Sequence, residues 1–183
     1  MKTYIALLRG INVGGNKMIA MAELRAALAE LGFADVRTLL QSGNVVFRAP
    51  AQPPEKLERR LEKEATTRFG FAPDFHVRTA DEWRQVVGAN PFPQEAAKDP
   101  SHLLVTFFRA PLDAAKVRAL QGAISGPELV RADGRHLYMT FPNGIGTSKA
   151  PLLVDKTLGA RGTARNWNTV LKLEALSAQH SST

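Results

Sequence analysis

The sequence contains no cysteine, which excludes disulfide bonds and thiolate catalysis. Its histidines lie too far apart for a local metal-binding motif. No apolar run reaches the roughly 18 residues of a membrane-spanning helix, and the N-terminal apolar run is too short for a signal peptide. These absences favour a cytoplasmic protein with no bound metal, no cofactor and no membrane partner. The histidines are His76, His102, His136 and His180.

Positive charge is in excess. The chain has 183 residues, of which 44% are hydrophobic and 22% charged, enough apolar material for one large core or two small ones. The formal net charge is +7, and it favours anionic partners such as nucleic acid, phosphorylated small molecules or acidic proteins. The densest charge run, residues 55–68, alternates in sign as a solvated helix face does.

The spacing of apolar residues predicts strand, helix, strand, strand, helix, strand in the first half of the chain. The first strand is expected over residues 3–8, and a helix follows with one apolar face and Gly32 at its end. Two strands flank the turn residues "QSGN" of a hairpin. A proline-initiated helix and a short strand over residues 74–78 complete the order, which is that of a ferredoxin-like α/β sandwich.

The second half repeats this order of elements. A strand is expected over residues 102–108, then a helix, a hairpin around "DGR" and a helix over residues 148–158. We therefore predict an α+β protein of two ferredoxin-like halves related by a fold-level duplication. The expected divisions are residues 1–88 for the first half, 89–101 for a proline-rich connector, and 102–183 for the second half with a C-terminal helix.

A short helix is predicted just before the connector. Thr79 and Glu82 have the three-residue spacing of a capping box, in which each side chain bonds the other residue's backbone amide. Trp83 is expected to pack into the core behind this helix start. Both features are explained by structure without any function.

The best candidate site combines the segment "RGINVGGNK" with the hairpin "QSGN". In a ferredoxin-like half the first two strands run parallel with the third between them, so the loop after the first strand and the hairpin share one edge. Glycines in the loop let the backbone approach a ligand, and the helix that follows has a positive N-terminus. The residues expected to converge are Arg9, Gly10, Asn12, Gly14, Gly15, Asn16, Lys17, Gln41, Ser42 and Asn44.

A plain structural interpretation of this loop also stands. Glycines are common in strand-to-helix turns, and Gly-Asn is ordinary hairpin chemistry. The loop matches neither of the glycine-rich nucleotide-binding motifs, G-x-x-x-x-G-K-[ST] and G-x-G-x-x-G. Its length favours a ligand, because about ten residues stand where two to six usually suffice.

A further candidate lies in "TARNWNTVLKL". Thr163 or Asn166 would cap a terminal helix, and Trp167 would face the core. That structural interpretation does not require Arg165, which suits a carboxylate, a phosphate, or a flat ring stacked on the indole. Arg165, Asn166 and Trp167 are therefore added to the candidate ligand-binding residues. Ser148 beside Lys149 is better explained as a helix cap than as a nucleophile.

The segments "LLRGINVGGNK", "QSGNVVF", "NPF" and "TARNWNTVLKL" resemble, in this order, the bacterial family catalogued as domain of unknown function 1697. The resemblance implies a two-part α/β fold and no established activity. The matching positions are Arg9, Gly10, Asn12, Gly14, Gly15, Gln41, Ser42, Gly43, Asn44, Asn90, Pro91, Phe92, Arg165, Asn166 and Trp167.

Binding of an anionic small molecule is the first functional hypothesis. Arg9 and Arg165 would hold the negative charge, the backbone amides of Gly14 and Gly15 would donate to it, and the hairpin side chains would orient the rest. The candidate residues include no histidine or carboxylate, which weakens any scheme of general acid and base catalysis. An enzyme of unknown reaction, independent of metal, remains an alternative, with no catalytic residue assigned.

Nucleic-acid binding is the alternative from a different class. The charge and the sandwich fold suit it, because RNA-recognition modules share this fold and stack bases on sheet aromatics. Only Phe47 and Tyr4 are aromatic on the corresponding strands, so the pattern of those modules is missing. A role in assembly is neither supported nor opposed, and the oligomeric state is undetermined.

Overall fold

The computed structural model describes residues 1–15 and 17–179. The strands are β1 (Lys2–Arg9), β2 (Ala34–Leu39), β3 (Asn44–Ala49), β4 (Asp74–Thr79), β5 (Leu103–Phe107), β6 (Val130–Asp133), β7 (His136–Thr140) and β8 (Thr163–Asn166). The helices are α1 (Met21–Glu30), α2 (Pro54–Phe69), α3 (Ala80–Gly88), α4 (Pro93–Lys98), α5 (Ala114–Ala123), α6 (Ala150–Leu158) and α7 (Trp167–Gln179), with a 3₁₀ turn at Pro100–His102. Within these ranges no helix has the length and apolar character needed to cross a membrane.

The chain divides into two compact units, Met1–Gln85 with the described part of the chain from Lys172 on, and Val86–Leu171. Each unit contains one four-stranded antiparallel sheet. The strand orders are β2-β3-β1-β4 and β6-β7-β5-β8, so the same order occurs twice. This confirms the predicted α+β fold with two similar halves.

The core of the first unit lies between one face of its sheet and helices α1 and α2. Tyr4, Ala6 and Leu8 alternate along β1 and are buried in one cluster with Leu24 of α1 and Leu57 of α2. This alternation is the period of two expected for a strand, and burial of each large apolar side chain contributes about 1.5–3 kcal/mol. The sheet and both helices are therefore held as one body, which supports the loops at its edge.

The second unit has its own apolar cluster. Phe108, Leu120, Leu137 and Val154 are buried in it, which joins the sheet to α5 and α6. Tyr138 donates a hydrogen bond from its hydroxyl to the carbonyl oxygen of Val86 at 2.7 Å. Burial raises the pKa of the Tyr138 hydroxyl well above its ordinary value, because the phenolate would lose its hydration.

Strand β8 is an element that the sequence analysis missed. It pairs antiparallel with β5, where Asn166 lies opposite Leu104 and Thr163 opposite Phe107. Its four residues include a single apolar side chain, so no alternation marks it as a strand. Asn166, the second of the two predicted alternatives, caps α7, because its Oδ1 accepts from the Thr169 amide at 3.0 Å.

The predicted capping box at the start of α3 is present. The Thr79 amide donates to Glu82 Oε2 at 2.8 Å, and the Glu82 amide donates to Thr79 Oγ1 at 3.1 Å. Trp83 is 0% exposed, as its expected packing requires. This helix start needs no functional explanation.

Candidate functional site

The loop between β1 and α1 lies against the β2–β3 hairpin. Strand β3 pairs antiparallel with both β1 and β2, so the end of β1 and the hairpin share one edge of the sheet. The Leu8 amide donates to the Gly43 carbonyl at 2.8 Å, and Asn12 Nδ2 donates to the Gln41 carbonyl at 2.7 Å. We call residues 9–15, 17–20 and 40–43 the rim.

Asn12 holds the rim together. Besides its bond to the hairpin, its Oδ1 accepts from the Ile19 amide at 2.8 Å and its Nδ2 donates to the Ile19 carbonyl at 3.1 Å. The backbone at Asn12 is left-handed, with φ of 55°, a conformation that asparagine tolerates better than most residues. One side chain thus ties both ends of the loop to the hairpin, which makes Asn12 a positioning residue.

Two hairpin residues also shape the rim from the inside. Gly43 has φ of +77°, and a Cβ there would lie 2.8 Å from both Leu8 Cβ and Ile11 Cδ1, so only glycine fits. Asn44 is 0% exposed, and its Nδ2 donates to the Leu39 carbonyl at 2.8 Å and to Ser42 Oγ at 3.0 Å. Asn44 therefore supports the hairpin from the interior.

The outer surface of the rim consists of glycines and of polar and charged side chains. Several predicted site residues are exposed there: Gly10, Gly14, Gly15, Lys17, Gln41 and Ser42. The glycines at 14 and 15 have φ of 64° and 75°. Asn16, also predicted as a ligand residue, lies outside the described residues.

The rim also carries unusual backbone and exposed apolar side chains. Leu40 has φ of 60°, a conformation that costs an ordinary residue roughly 1–2 kcal/mol. Val13, Met18 and Leu40 are 73%, 63% and 54% exposed. Left-handed backbone and exposed apolar side chains therefore occur together at the rim.

Arg9 ends β1 next to the loop. Its Nη1 lies 4.0 Å from Asp74 Oδ2 of β4, and the two side chains are 28% and 36% exposed. A long, solvated ion pair of this kind contributes only about 0–1 kcal/mol. The Arg9 guanidinium is therefore a partly exposed positive charge next to the loop.

Helix α1 begins at the rim without a capping side chain at its cap position. That position is Ala20, which has φ of −69° and ψ of 133° and no side-chain oxygen. The corresponding helix of the second unit, α5, has Asp113 there, and the Asp113 carboxylate accepts from the Ala115 amide at 2.7 Å. Glu23 lies in the first turn of α1 and offsets part of its positive end.

Arg165 lies in the second unit and is buried. Its Nη1 donates to Thr163 Oγ1 and to the Ala164 carbonyl, both at 2.8 Å, and burial lowers its pKa to about 10. Trp167 is 5% exposed and begins α7 directly after the capping residue. The two hydrogen bonds hold the Arg165 side chain against β8.

The first unit contains the same arrangement, which the spacing of apolar residues does not predict. Arg78 of β4 is 0% exposed, and its Nη1 donates to the Val77 carbonyl at 2.9 Å. Like Arg165, it stands one residue before a helix cap, here Thr79. In the sequence, this recurrence is visible as the tripeptides "VRT" and "ARN", each of which directly precedes a helix. The recurrence favours a positional role for Arg165.

Two smaller predicted features have defined local contacts. Asn90 Oδ1 accepts from the Phe92 amide at 2.9 Å, which forms the turn at "NPF". Ser148 is not the cap residue of α6, because Lys149 occupies that position without a side-chain cap bond; Ser148 lies one residue earlier, and its Oγ accepts from the Ala150 amide at 3.1 Å. Both contacts are structural.

Known proteins resemble this chain in sequence and in fold. A family described as "Protein of unknown function (DUF1697)" matches residues 1–138, which include the rim. No curated protein matches the chain. A conserved bacterial protein from Streptococcus pneumoniae has a similar solved structure, with a TM-score of 0.77 and 25% identity over 97% of this chain and 99% of that chain. The chain belongs to the DUF1697 family of proteins of unknown function.

Proposed function

We propose that the rim binds a small anionic molecule that is phosphorylated or carries a carboxylate. The observation that carries the proposal is the start of α1, where Ala20 occupies the cap position that Asp113 fills in α5. A helix N-terminus has the equivalent of about half a positive charge, because its first amides have no partner within the helix. An external anion would supply what a capping carboxylate supplies in the second unit.

The surrounding residues add donors and charge. Gly14 and Gly15 are exposed, and with no side chain they let a ligand reach their backbone amides. Arg9 and Lys17 bring two positive charges to the loop, and Gln41 and Ser42 offer further donors. The hydrogen bonds of Asn12 hold these groups in one place before the ligand arrives, which reduces the entropy cost of binding.

The exposed apolar residues of the rim narrow the ligand class. Val13, Met18 and Leu40 are among the exposed large hydrophobic side chains of the chain. An anion with a small apolar portion would cover part of this surface, whereas inorganic phosphate would not. The ligand that we propose is therefore an organic anion.

Anion binding by Arg165 stays a prediction. Its side chain is 9% exposed and donates two hydrogen bonds within β8. Burial and these bonds favour a positional role in the second unit. Ligand binding by Asn166 and Trp167 likewise stays a prediction, since Asn166 caps α7 and Trp167 is buried.

Nucleic-acid binding remains the alternative that the test must separate. Tyr4 and Phe47 are both 0% exposed, with ring centroids 5.8 Å apart, so they offer no face for stacking bases. An enzymatic role for the rim is also not favoured, because residues 9–20 and 40–43 contain no histidine and no carboxylate side chain.

Thermal unfolding with inorganic phosphate, acetate and organic phosphates tests the proposal. A ligand at 100 times its Kd stabilises a protein by about 2.7 kcal/mol, which raises Tm measurably. We expect selective stabilisation of the natural chain by one anion class. The response should be lost in Ala20→Asp, whose carboxylate would occupy the helix start, and weakened in Arg9→Ala.

Ala20→Asn is the matched control, because it caps the helix without adding charge. It should keep more of the anion response than Ala20→Asp. An unchanged response in Ala20→Asp would contradict the proposal. Uniform stabilisation by oligonucleotides of any sequence, with a steep salt dependence, would favour nucleic-acid binding instead.

A further inference from the structure

The second unit contains a cleft that the proposed function does not use. It has a volume of about 380 Å³, which is at the small end of the range for ligand pockets. It lies between α4, the 3₁₀ turn and the end of β7. Its lining residues are Gln94, Glu95, Lys98, Asp99, His102, Thr140, Phe141 and Pro142.

His102 is held in a fixed orientation in this cleft. Its Nδ1 lies 2.8 Å from Asp99 Oδ2, its amide donates to the Asp99 carbonyl at 3.1 Å, and its carbonyl accepts from the Phe141 amide at 2.8 Å. A carboxylate at Nδ1 holds a proton on that nitrogen. The other ring nitrogen, Nε2, then has its lone pair available to accept a proton.

Asp99 is itself held by Ser101. One carboxylate oxygen, Oδ1, accepts from the Ser101 amide at 3.2 Å and from Ser101 Oγ at 2.5 Å, which leaves Oδ2 for His102. The Ser101 hydroxyl bond, with His102 nearby, lowers the pKa of Asp99 below its ordinary value. Serine, carboxylate and imidazole thus form a chain in which each group orients the next.

The His102 ring is partly exposed at the cleft, with the backbone of Gly144 on its Nε2 side. A Cβ built on Gly144 would be 3.8 Å from Nε2. No group among the described residues hydrogen-bonds to Nε2, while the His102 side chain is 39% exposed at the cleft. A small molecule or water in the cleft can therefore reach this nitrogen.

The charges of the cleft differ from those of the rim. Glu95, Lys98 and Asp99 are the charged groups that line it beside His102, and together they sum to one negative charge while the imidazole is neutral. The β7 side supplies only Thr140, Phe141 and Pro142. This balance suits a neutral or zwitterionic polar ligand, and Lys98 is the positively charged side chain among the lining residues.

We propose that this cleft is a hydrolytic site for a small polar carboxylic ester, in which His102 is the general base and Asp99 a positioning residue. Nε2 accepts a proton from a water molecule as the water oxygen bonds to the carbonyl carbon. The bond from that carbon to the leaving oxygen then breaks, and the imidazolium gives its proton to the leaving oxygen. The products are the acid and the alcohol, and no oxidant or reductant is consumed.

Hydrolysis of p-nitrophenyl acetate by the full chain tests the proposal. General acid and base catalysis contributes about 10²–10⁴-fold on natural substrates, so on this unspecific probe we expect His102→Gln to lose roughly tenfold or more. His180→Gln, which removes a different histidine, should keep the rate of the natural chain. A natural chain no faster than His102→Gln, or a rate that depends on His180 instead, would overturn the proposal.

Asp99→Asn tests the positioning role separately. We expect a lower rate, together with a change in the ¹⁵N NMR shifts of His102 that shows loss of the proton preference for Nδ1. A purely structural role of Asp99 would not change this tautomer. Unchanged ¹⁵N shifts in a folded Asp99→Asn would overturn the assignment of Asp99.

Labelling the unaltered protein removes any dependence on variants that fail to fold. Diethyl pyrocarbonate should modify His102, while His76 and His136, at 1% and 9% exposure, remain unmodified. Hydrolysis should fall in proportion to the His102 modification that peptide mass spectrometry measures. Full modification of His102 with an unchanged rate would overturn the proposal. The cleft and the rim share no residue, so failure here leaves the anion proposal untouched.

Discussion

The two units contain the same corner, in which the loop after the first strand lies against a hairpin. In the first unit the Leu8 amide donates to the Gly43 carbonyl at 2.8 Å, and in the second the Phe108 amide donates to the Arg135 carbonyl at 2.9 Å. Because the contact recurs with different residues, it follows from the strand order. Convergence of the loop and the hairpin is therefore, by itself, no sign of a binding site.

The two corners differ in the length of the loop and in the residue at the helix cap position. The loop spans residues 10–20 in the first unit but only 108–113 in the second. The longer loop adds exposed glycines and a lysine, and its helix has Ala20 where the other has Asp113. The start of α5 is capped by the Asp113 carboxylate, whereas the cap position of α1 has no side-chain oxygen, and Gly14 and Gly15 in the loop before it are exposed.

The largest expected effect distinguishes the two hairpin glycines. Gly43→Ala should lower the free energy of unfolding by about 2–4 kcal/mol, because it adds a left-handed alanine and a clash with Leu8 and Ile11. Gly134 also has a positive φ, but no atom lies within 4 Å of an added Cβ. Gly134→Ala should therefore lower the free energy of unfolding by only about 1 kcal/mol. Urea unfolding measures both, and equal losses would contradict the close packing of the first corner.

The next effect concerns Asn12. Asn12→Gly keeps the left-handed backbone but removes three hydrogen bonds, which should lower the free energy of unfolding by about 1–3 kcal/mol. Asn12→Ala should cost roughly 1 kcal/mol more, because alanine strains the same backbone. Chemical denaturation of the two variants gives the difference. A loss within error of zero for both would show that the loop does not depend on this side chain.

Exchanging the helix caps tests the comparison directly. Asp113→Ala should destabilise the protein by about 1 kcal/mol, and Ala20→Asp should stabilise it by a similar or smaller amount at low phosphate. Calorimetry without added anions measures both. Destabilisation by Ala20→Asp would mean that the start of α1 has no room or need for a carboxylate.

The smallest effect is a change in titration at Asp99. Its folded pKa is depressed, so its contribution to stability is present above the unfolded pKa and is lost as pH falls through the folded pKa. Ser101→Ala removes the main cause and should move the folded pKa of Asp99 up towards 3.8, so that this contribution to stability becomes smaller and its loss is complete at a higher pH. A titration followed by the ¹³C shift of the Asp99 carboxyl measures this pKa. An unchanged pKa would show that Ser101 does not hold the Asp99 carboxylate.

Much of the fold was predictable because apolar spacing and turn residues report directly on helices, strands and hairpins. Strand β8 was missed, since four residues with one apolar side chain carry no period. The convergence at the rim was predictable from topology, but the inward bonding of Asn12 and Asn44 was not, because loop conformation decides where a side chain points. The pairing of Asp99 with His102 has a faint signal in "DPSH", a cap residue three positions before a histidine.

Amide NMR during titration with phosphate and with organic phosphates tests the proposed anion site most directly. We predict saturable shifts at the amides of Gly14, Gly15 and the first turn of α1, which are absent in Ala20→Asp, while the Asp113-capped start of α5 stays unchanged. Shifts confined to other surfaces, or equal shifts at the starts of α1 and α5, would contradict an anion site at the rim.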